Sequence, residues 1–435
     1  MGKDIAIVGG GMLGMALAHR LAGQGKRVAL FEAQPELGGL AGSARIGSVR
    51  WDRYYHVILP GDSCLLALLA ELGLSKQVVW EQTRTGLFID GALHSVSSAR
   101  EFALLPVLSV VDRLRFGLNV LYASRLRNWR SLDRVSAVAW LRRWSGRNVC
   151  ARIWVPLLRA KLGEEYSRAS AAFIWATVRR LYGARVSGDK KEKLGYVQGG
   201  YGSVVGAMKR VLEKRGVTLK CDHRLWRVEP REQGGFLLHF ANGAVHRAAK
   251  VVLTVPNPTI LSSCPWLSET EQTQLRKASY MGIVCLALLL RKPLGGYYLT
   301  NIADEGLPFT GIIEMSALVG ADSFQGYTLV YLPKYVPSDD QLFLTPDEEV
   351  LESFLNGLQR MYPALKQEDI AGWTVTRDGH VFALPTLGYS EIAPPMRAST
   401  PGLFIVNSAQ IVSTTLNVNE AVRQAEEAAT VIGSS

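Results

Sequence analysis

The hydrophobic pattern at the amino terminus predicts a strand, a helix and a second strand in immediate succession. Residues 4–9, DIAIVG, form a short apolar run that ends in glycine, and an Ala- and Leu-rich stretch follows directly. This stretch leads into a second apolar run, RVALFE, at residues 27–32. A unit of about thirty residues in this order is a βαβ motif with parallel strands. The chain therefore begins as a doubly wound α/β domain.

The pattern changes twice along the rest of the chain. Asp90-Gly91 lies between two apolar runs, which predicts a type I′ β-hairpin. From about residue 102 to 182, aliphatic residues and arginines recur at three- to four-residue spacing, which predicts helices, among them an amphipathic one from Leu104 to Tyr122. Short strand-like runs return after residue 192, and the chain ends with the strand GLFIVN and a helix that starts near Asn417.

The turn after the first strand has the glycine spacing of a dinucleotide-binding loop. In Gly9-Gly10-Gly11-Met12-Leu13-Gly14, the first glycine permits a tight turn, the third permits close approach of a pyrophosphate, and Gly14 permits the helix to pack on the strand. The helix N-terminus then offers N–H groups to the phosphates. Glu32, at the end of the second strand, can accept ribose hydroxyls and disfavours a 2′-phosphate.

Strand–helix pairs at the beginning, middle and end of the chain, separated by two unlike inserts, predict one discontinuous nucleotide-binding domain and one α+β substrate domain. The nucleotide-binding domain is predicted from residues 1–83, 193–262 and 399–435. The substrate domain is predicted from a helical insert, 84–192, and a mixed-sheet insert, 263–398.

Composition and charge narrow the setting. Five scattered cysteines without metal-ligand spacing predict a reduced protein and no metal site. The amino terminus lacks the features of a signal peptide, and the longest apolar run, Ile283–Leu290, is too short to span a bilayer. We therefore expect a cytoplasmic protein, with peripheral attachment to the inner membrane face left open.

The positive charge is concentrated in one segment. The chain has a net charge of +11, and residues 100–185 contain 17 lysines and arginines against five acidic residues, together with five of the ten tryptophans. Such a segment is a solvated helical face, a nucleic-acid surface or a membrane-interface surface. Because no nucleic-acid-binding motif accompanies it, we expect no nucleic acid and favour an anionic membrane surface, with the plain solvated face as the alternative.

Four stretches in order carry a resemblance that covers most of the chain. They are EAQPELGGLAGS from Glu32, GGYGSVVGAMKRVLEKRGVTLKCDHRLWRVE from Gly199, AKVVLTVPNP from Ala249, and GLFIVNSAQIVSTTLNVNEAVRQAEEAA from Gly402. The chain resembles the superfamily of flavin-containing amine oxidases, protoporphyrinogen oxidases and phytoene desaturases. This resemblance implies a Rossmann-type FAD-binding domain. Glu36 and Leu40 replace arginines of the amine oxidases, and STTLNVNE replaces glycines, which indicates a divergent branch.

The resemblance implies a set of FAD contacts, which we carry over residue by residue. They are Gly9, Gly11, Met12, Leu13 and Gly14 at the pyrophosphate, Glu32 and Ala33 at the adenosine ribose, Gly38, Gly39 and Leu40 at the pyrophosphate and ribityl chain, Val228 at the adenine, Thr254 and Pro256 beside the flavin, Asn407 at the ribityl-phosphate end, and Val418 with its amide at the flavin O2.

Two segments are candidates for the reacting end. In WDRYYHVILPGD, from Trp51, Tyr55 and His56 are expected to line the flavin face, and His56 could act as an acid or base near neutral pH. A structural histidine among packing aromatics is the alternative. Tyr389, in a segment that resembles the crossing over the flavin, is a further lining candidate.

Three functions follow from these observations. The first is an FAD-dependent oxidoreductase that transfers a hydride from an apolar, lipid-linked, isoprenoid or porphyrinogen-type small molecule to the flavin, with oxygen or a quinone as electron acceptor. The second is a flavoenzyme similar to UDP-galactopyranose mutases, because YYHVILPGD is similar to their histidine-bearing loop. The third is a non-catalytic flavoprotein.

Overall fold

The computed structural model describes residues 4–183, 193–412 and 414–434. Arg185, at the end of the basic segment, and Ser413, in the last stretch of the resemblance, lie outside these residues. Within the described residues the strands are β1 (Ile5–Val8), β2 (Val28–Phe31), β3 (Ser43–Ile46), β4 (Val49–Asp52), β5 (Val78–Gln82), β6 (Thr85–Ile89), β7 (Ala92–Ser95), β8 (Lys193–Val197), β9 (Thr218–Lys220), β10 (Leu225–Pro230), β11 (Phe236–Phe240), β12 (Val245–Ala248), β13 (Lys250–Leu253), β14 (Tyr280–Leu290), β15 (Leu299–Ile302), β16 (Gly311–Glu314), β17 (Thr328–Pro337), β18 (Ile370–Ala383) and β19 (Leu403–Ile405).

The α-helices of the same residues are α1 (Met12–Gly23), α2 (Ser63–Glu71), α3 (Ala99–Ala103), α4 (Val110–Arg125), α5 (Arg130–Asp133), α6 (Ala137–Ser145), α7 (Arg147–Val149), α8 (Val155–Leu162), α9 (Ala171–Gly183), α10 (Gly200–Lys214), α11 (Asn257–Ser263), α12 (Glu269–Arg276), α13 (Ser316–Val319), α14 (Asp347–Met361), α15 (Tyr389–Ile392) and α16 (Val418–Gly433). A π-helical turn, Cys150–Trp154, joins α7 to α8.

A five-stranded parallel sheet has the strand order β19-β13-β1-β2-β9. Alternate residues of β1 face opposite sides: Ile5 and Ile7 pack against α1, α10 and α16, whereas Ala6 and Val8 pack toward the three-stranded antiparallel sheet β10-β11-β12. The predicted α/β fold with a parallel sheet is therefore confirmed. Because the chain runs outward from β1 to β2 and β9 on one side and to β13 and β19 on the other, a crevice opens at the carboxyl end of β1.

A seven-stranded sheet, β18-β14-β17-β16-β15-β6-β7, forms the second core. All eleven residues of β14 are buried, because β14 lies between β17 and β18 and packs on both faces. Cys285 and Leu289 face the helices α4–α9, and Leu286 and Leu288 face α14. The continuous apolar run of β14 is thus a central strand of the sheet. No helix within the described ranges is long and apolar enough to cross a membrane.

The predicted hairpin is present between β6 and β7, where Asp90 and Gly91 have φ of +54° and +72°, as a type I′ turn requires. The predicted helix from Leu104 to Tyr122 needs a correction. It starts at Val110, because the Ser109 side chain accepts a hydrogen bond from the Asp112 N–H and caps α4, and the preceding residues form turns around Pro106.

Candidate functional site

The glycine loop lies at the carboxyl end of β1, where backbone conformation and space both require glycine. Gly9 has φ of +114°, and its N–H donates to the Phe31 carbonyl at 2.8 Å. A Cβ on Gly9 would lie 2.3 Å from Thr254 Oγ1, and a Cβ on Gly14 would lie 1.9 Å from the Gly9 carbonyl oxygen. A side chain at either position would force the loop away from β13 or from α1.

The N-terminus of α1 is open to a ligand. Gly11 is the N-cap residue, so no side chain caps the helix, and Met12 and Leu13 begin its first turn. The first N–H groups of a helix have no intrahelical acceptor and carry the positive end of the helix dipole. This end of α1 can therefore bind a phosphate anion.

Glu32 is held in a fixed orientation at the end of β2. Its Oε2 accepts from the Gly10 N–H at 2.7 Å, and its Oε1 accepts from the Gln34 N–H at 2.8 Å, across Ala33. The residue is buried, and no lysine or arginine of the described residues forms an ion pair with it. Each carboxylate oxygen retains acceptor capacity, which suits ribose hydroxyls.

A second glycine pair faces the first loop. Gly38 and Gly39 have φ of +125° and +56°, and the Gly38 N–H donates to the Gly10 carbonyl at 2.8 Å. A Cβ on Gly11 would meet nothing closer than the Gly39 Cα, at 4.0 Å, and Leu40 follows, half-buried. A methyl group on Gly11 would thus enter open space beside the Gly38–Gly39 turn, and the two turns would hold the pyrophosphate of a dinucleotide at this edge.

Thr254 and Pro256 connect β13 to α11 beside this loop. The Thr254 hydroxyl lies 2.9 Å from the Val8 carbonyl and 3.1 Å from the Gly9 carbonyl, to which it donates. The Pro256 carbonyl accepts from the first turn of α11. Thr254 therefore supports the glycine loop from the side of β13, and Pro256 directs the chain away from the sheet.

Two residues among the predicted contacts form hydrogen bonds within the protein. Val228 is fully buried in β10, and its carbonyl accepts from the Trp266 indole N–H at 2.5 Å. The side-chain amide of Asn407 donates to the Val255 carbonyl at 2.8 Å and to Asn257 Oδ1 at 2.9 Å. Both amide hydrogens of Asn407 thus join the segments that follow β13 and β19, and its place at the ribityl-phosphate end of FAD stays a prediction.

The last helix, α16, begins at Val418, the residue whose amide the resemblance assigns to the flavin O2. The Asn417 side chain accepts from the Glu420 N–H at 3.1 Å, and Val418 is the first helical residue. Its N–H lacks an intrahelical acceptor and lies at the positive end of a long helix. Asn419 accepts from the Leu65 N–H at 3.0 Å and fixes α2 against this end.

His56 lies in the segment between β4 and α2. Its Nδ1–H donates to the Tyr54 carbonyl at 2.9 Å, which leaves Nε2 as an acceptor. Burial lowers the pKa of His56 to about 4. The imidazole is therefore neutral at pH 7, and its Nε2 can accept a hydrogen bond or a proton. The acid–base role of His56 stays a prediction.

Tyr55 belongs to a polar contact in the aromatic wall of the second core. Its hydroxyl lies 2.8 Å from the Tyr335 hydroxyl, and burial, together with Tyr335, raises the pKa of Tyr55 well above its usual value. The Lys161 ammonium lies 3.7 Å from the centroid of the Tyr335 ring. The sequence analysis missed Lys161, because nothing in its own helix indicates that it meets a strand far along the chain.

Tyr389 is 3% exposed and donates its hydroxyl to the Ala409 carbonyl at 2.7 Å. Burial raises the pKa of Tyr389, so the hydroxyl stays protonated. This hydrogen bond fixes the loop after β19. Tyr389 therefore positions that loop, and its place at the flavin face stays a prediction.

Asp52, at the end of β4, is a second buried group that the sequence analysis did not single out. Its Oδ1 accepts from the Tyr201 N–H at 2.8 Å, and its backbone carbonyl accepts from the Tyr331 hydroxyl at 2.5 Å. Burial raises the pKa of Asp52 to about 7. The residue joins α10 to the seven-stranded sheet.

A cavity of about 520 Å³ adjoins the start of α16. Its walls include Trp129, Trp175 and three arginines. Arg180 pairs with the buried Asp62 at 3.2 Å, and Arg423 pairs with Glu420 at 2.7 Å. Burial raises the pKa of Asp62, and Arg180 opposes this shift.

The third arginine of this cavity, Arg179, stacks on Trp175 at 5.2 Å and forms no ion pair with any described residue. One positive charge is thus left over. Nothing in the periodicity of the sequence brings these residues together, because Asp62 and Arg180 are far apart in the chain.

The described residues contain no group of histidine, cysteine, aspartate and glutamate side chains that could hold a metal ion.

Comparisons with known proteins agree with this geometry. The profile of the family described as flavin containing amine oxidoreductase matches residues 13–433. A protein of Mycobacterium tuberculosis that carries the name of a flavin-containing monoamine oxidase, AofH, is 31% identical over 146 residues, 32% of each chain. A protein of Synechococcus elongatus named as a probable zeta-carotene desaturase is 25% identical over 255 residues, 53% of this chain and 52% of that one. The matches thus span about a third to a half of these relatives.

Two solved structures cover nearly the whole chain. One, from Exiguobacterium sp. and named as a protoporphyrinogen oxidase, has a TM-score of 0.78 and 18% identity, and covers 99% of each chain. A reduced UDP-galactopyranose mutase has a TM-score of 0.74 and 16% identity, and covers 100% of this chain and 96% of that one. At these identities the likeness concerns the fold alone. The family match confirms the superfamily and the FAD cofactor that the sequence predicts.

Proposed function

The chain belongs to the family of flavin-containing amine oxidoreductases, and we propose that within it the protein dehydrogenates an apolar or lipid-linked substrate. FAD, when bound, supplies the hydride acceptor at its N5. The substrate class is an isoprenoid, a carotenoid precursor or a porphyrinogen, and oxygen or a quinone takes the electrons onward. FAD binding and membership of an oxidoreductase family follow from the family match, whereas the activity and the substrate class of this protein are our proposal.

The cavity beside α16 is the observation that carries the substrate class. Trp129 and Trp175 offer apolar faces, and Arg179 offers a cation without an acidic partner among the described residues. Val418, which the resemblance places at the flavin, starts the helix whose next turn lines this cavity. A molecule with an apolar body and an anionic group matches this lining, because tryptophan buries carbon and arginine pairs with carboxylate or phosphate.

The residues of the chain would bind and orient the substrate. Hydride transfer requires proximity, correct orientation and exclusion of water more than it requires a dedicated acid. The neutral His56 offers an acceptor for a proton or a hydrogen bond, and the contact between Tyr55 and Tyr335 keeps two hydroxyls paired inside the aromatic wall. Glu32 and the N-terminus of α1 would hold the ribose and pyrophosphate of FAD.

The test is anaerobic reduction of the bound flavin. The FAD-loaded protein is mixed without oxygen with a porphyrinogen, which carries carboxylates on an apolar body, and the loss of the oxidised-flavin absorbance is followed. We expect Arg179→Gln to raise the concentration for half-maximal reduction by about ten- to a hundred-fold with little change in the limiting rate, because an ionic hydrogen bond contributes about 1.5–3 kcal/mol. Arg247→Gln, an exposed arginine of β12, is the matched control. Equal effects of the two variants would contradict the proposal that Arg179 binds the anionic group of the substrate.

A UDP-galactopyranose mutase-like function is the second candidate. The arginines of the same cavity favour it, because nucleotide-sugar phosphates need cationic partners. Isomerisation of UDP-galactopyranose by the dithionite-reduced protein, with no bleaching by apolar substrates, would support this function. A flavin spectrum that no substrate and no reductant alters would instead support a non-catalytic flavoprotein.

A further inference from the structure

Helix α4 has a row of apolar side chains on its solvent side. Val110, Leu114 and Leu118 are 63%, 63% and 65% exposed, and Val111 and Tyr122 are exposed beside them. At about 100° per residue these positions share about a third of the helix circumference. We call these five residues the α4 stripe. A soluble helix places such a row against the core, so this row lacks a partner within the described part of the chain.

The opposite side of α4 is the side that packs on the protein. Asn119 and Ala123 are buried there, and Asp112, the only acidic residue of the helix, is buried with them. The Asp112 carboxylate accepts from the Asn148 side chain at 2.7 Å and from the Ser109 hydroxyl at 2.8 Å. The exposed side of α4 therefore has no negative charge.

Unpaired cations surround the α4 stripe. Among the described residues, the following exposed arginines form no ion pair: Arg115, Arg125, Arg127, Arg143 and Arg147. Elsewhere in the same insert, Arg134 and Arg168 pair with glutamates. The arginines around the stripe are thus left available for an external anionic partner.

An aromatic pair lies at the end of the stripe. The rings of Tyr122 and Trp144 stack at 4.2 Å between centroids, and the two side chains are 37% and 40% exposed. Tyrosine and tryptophan with one face in water and one in apolar surroundings are typical of the membrane–water interface.

We propose that the α4 stripe docks into the interface of an anionic lipid bilayer. Apolar side chains that enter the acyl boundary and arginines that contact anionic headgroups are the two terms of interfacial binding. A second copy of this chain fits the surface poorly, because the same face would bring unpaired arginines against arginines.

The docked helix also leads to the cavity. The Trp175 indole N–H donates at 2.9 Å to the carbonyl of Leu126, which follows α4, and Trp175 lines the cavity beside Trp129. The segment that follows α4 thus contributes to the wall of the cavity. The docking itself does not depend on the substrate proposed above.

Vesicle flotation tests the proposal with a matched control. The FAD-loaded protein is floated with vesicles of phosphatidylcholine alone or with about 30% phosphatidylglycerol. The test variant is Leu114→Glu with Leu118→Glu; the control is Val245→Glu with Leu344→Glu, two positions that are 58% and 79% exposed on other surfaces. We expect binding to the anionic vesicles, a loss of at least about ten-fold in the test variant, and little change in the control.

Quenching by brominated lipids gives a readout that folding defects do not imitate. Anionic vesicles that contain brominated lipids should quench the tryptophan fluorescence of Trp144→Phe less than that of the wild type, because Trp144 enters the interface. The flavin absorbance and the melting temperature of this variant should stay unchanged. Equal flotation of the test variant and the wild type would overturn the proposal, as would equal binding to vesicles without phosphatidylglycerol. Concentration-dependent dimers that the test variant abolishes, without vesicle binding, would overturn it in favour of self-association.

Discussion

Replacing Gly11 by alanine tests where the pyrophosphate of FAD lies. The new methyl group would meet no protein atom closer than 4.0 Å, and Gly11 has φ of −71°, which alanine adopts freely. The free energy of unfolding of the apoprotein should therefore change by no more than about 0.5 kcal/mol. In the FAD complex, the same methyl group would enter the space beside Gly11 that we assign to the pyrophosphate.

The expected cost to FAD binding follows from the hydrogen bonds that the methyl group displaces. A hydrogen bond from a backbone N–H to a phosphate contributes about 1.5–3 kcal/mol, so the loss of one or two gives about 3 kcal/mol, or about a hundred-fold in Kd. Gly14→Ala should act differently. Its Cβ would lie 1.9 Å from the Gly9 carbonyl oxygen, so the apoprotein itself should lose about 1–3 kcal/mol or more.

The assay combines urea unfolding of each apoprotein with titration by FAD, followed through the quenching of flavin fluorescence. Gly117→Ala, in α4, is the control for a glycine-to-alanine change, because a Cβ there would meet nothing within 4 Å. If Gly11→Ala binds FAD as tightly as the wild type, the space beside Gly11 does not hold the pyrophosphate, and the assignment of the cofactor site is refuted.

Three further outcomes are expected. The pKa of Asp52 rises from 3.8 to about 7 on folding, so the wild type should lose about 4 kcal/mol of stability as the pH rises from about 4 to 7. Asp52→Asn should abolish this pH dependence of the free energy of unfolding in urea. Parallel pH slopes of the two proteins would argue against a raised pKa of Asp52. Burial lowers the pKa of His56 to about 4, so the pH profile of flavin reduction between about pH 5 and 8 should have the same shape in His56→Asn as in the wild type. An ionisation near pH 6.5 that disappears in the variant would disprove the neutral imidazole. Tyr389→Phe should cost about 1–3 kcal/mol of stability by leaving the Ala409 carbonyl unpaired, and denaturation that matches the wild type would show that this bond is not needed.

The sequence predicted those parts of the site that depend on local geometry. The spacing of Gly9, Gly11 and Gly14 and the position of Glu32 describe a turn, a helix start and a strand end within one βαβ unit, so no distant contact is needed to place them. The same reasoning located Asn417 and Val418 at the start of the last helix. Asp90 and Gly91 likewise specify their hairpin, because both need positive φ.

The remaining parts depend on contacts between distant segments. Lys161 meets Tyr335, and Asp62 meets Arg180, across separations that no periodic pattern records. A pattern also does not tell which polar groups stay free. The side-chain amide of Asn407, for example, donates hydrogen bonds to the Val255 carbonyl and to Asn257 Oδ1, and only the folded chain shows these contacts. The start of α4 was misplaced because capping by Ser109 overrides the apolar spacing before it.

Anaerobic mixing of the FAD-loaded protein with an apolar, anionic substrate such as a porphyrinogen tests the central claim most directly. We expect the oxidised-flavin absorbance to disappear with one two-electron oxidation of substrate per flavin, and oxygen or a quinone to restore it. A flavin that stays oxidised with every apolar substrate, in a protein that isomerises UDP-galactopyranose once dithionite has reduced it, would contradict the account.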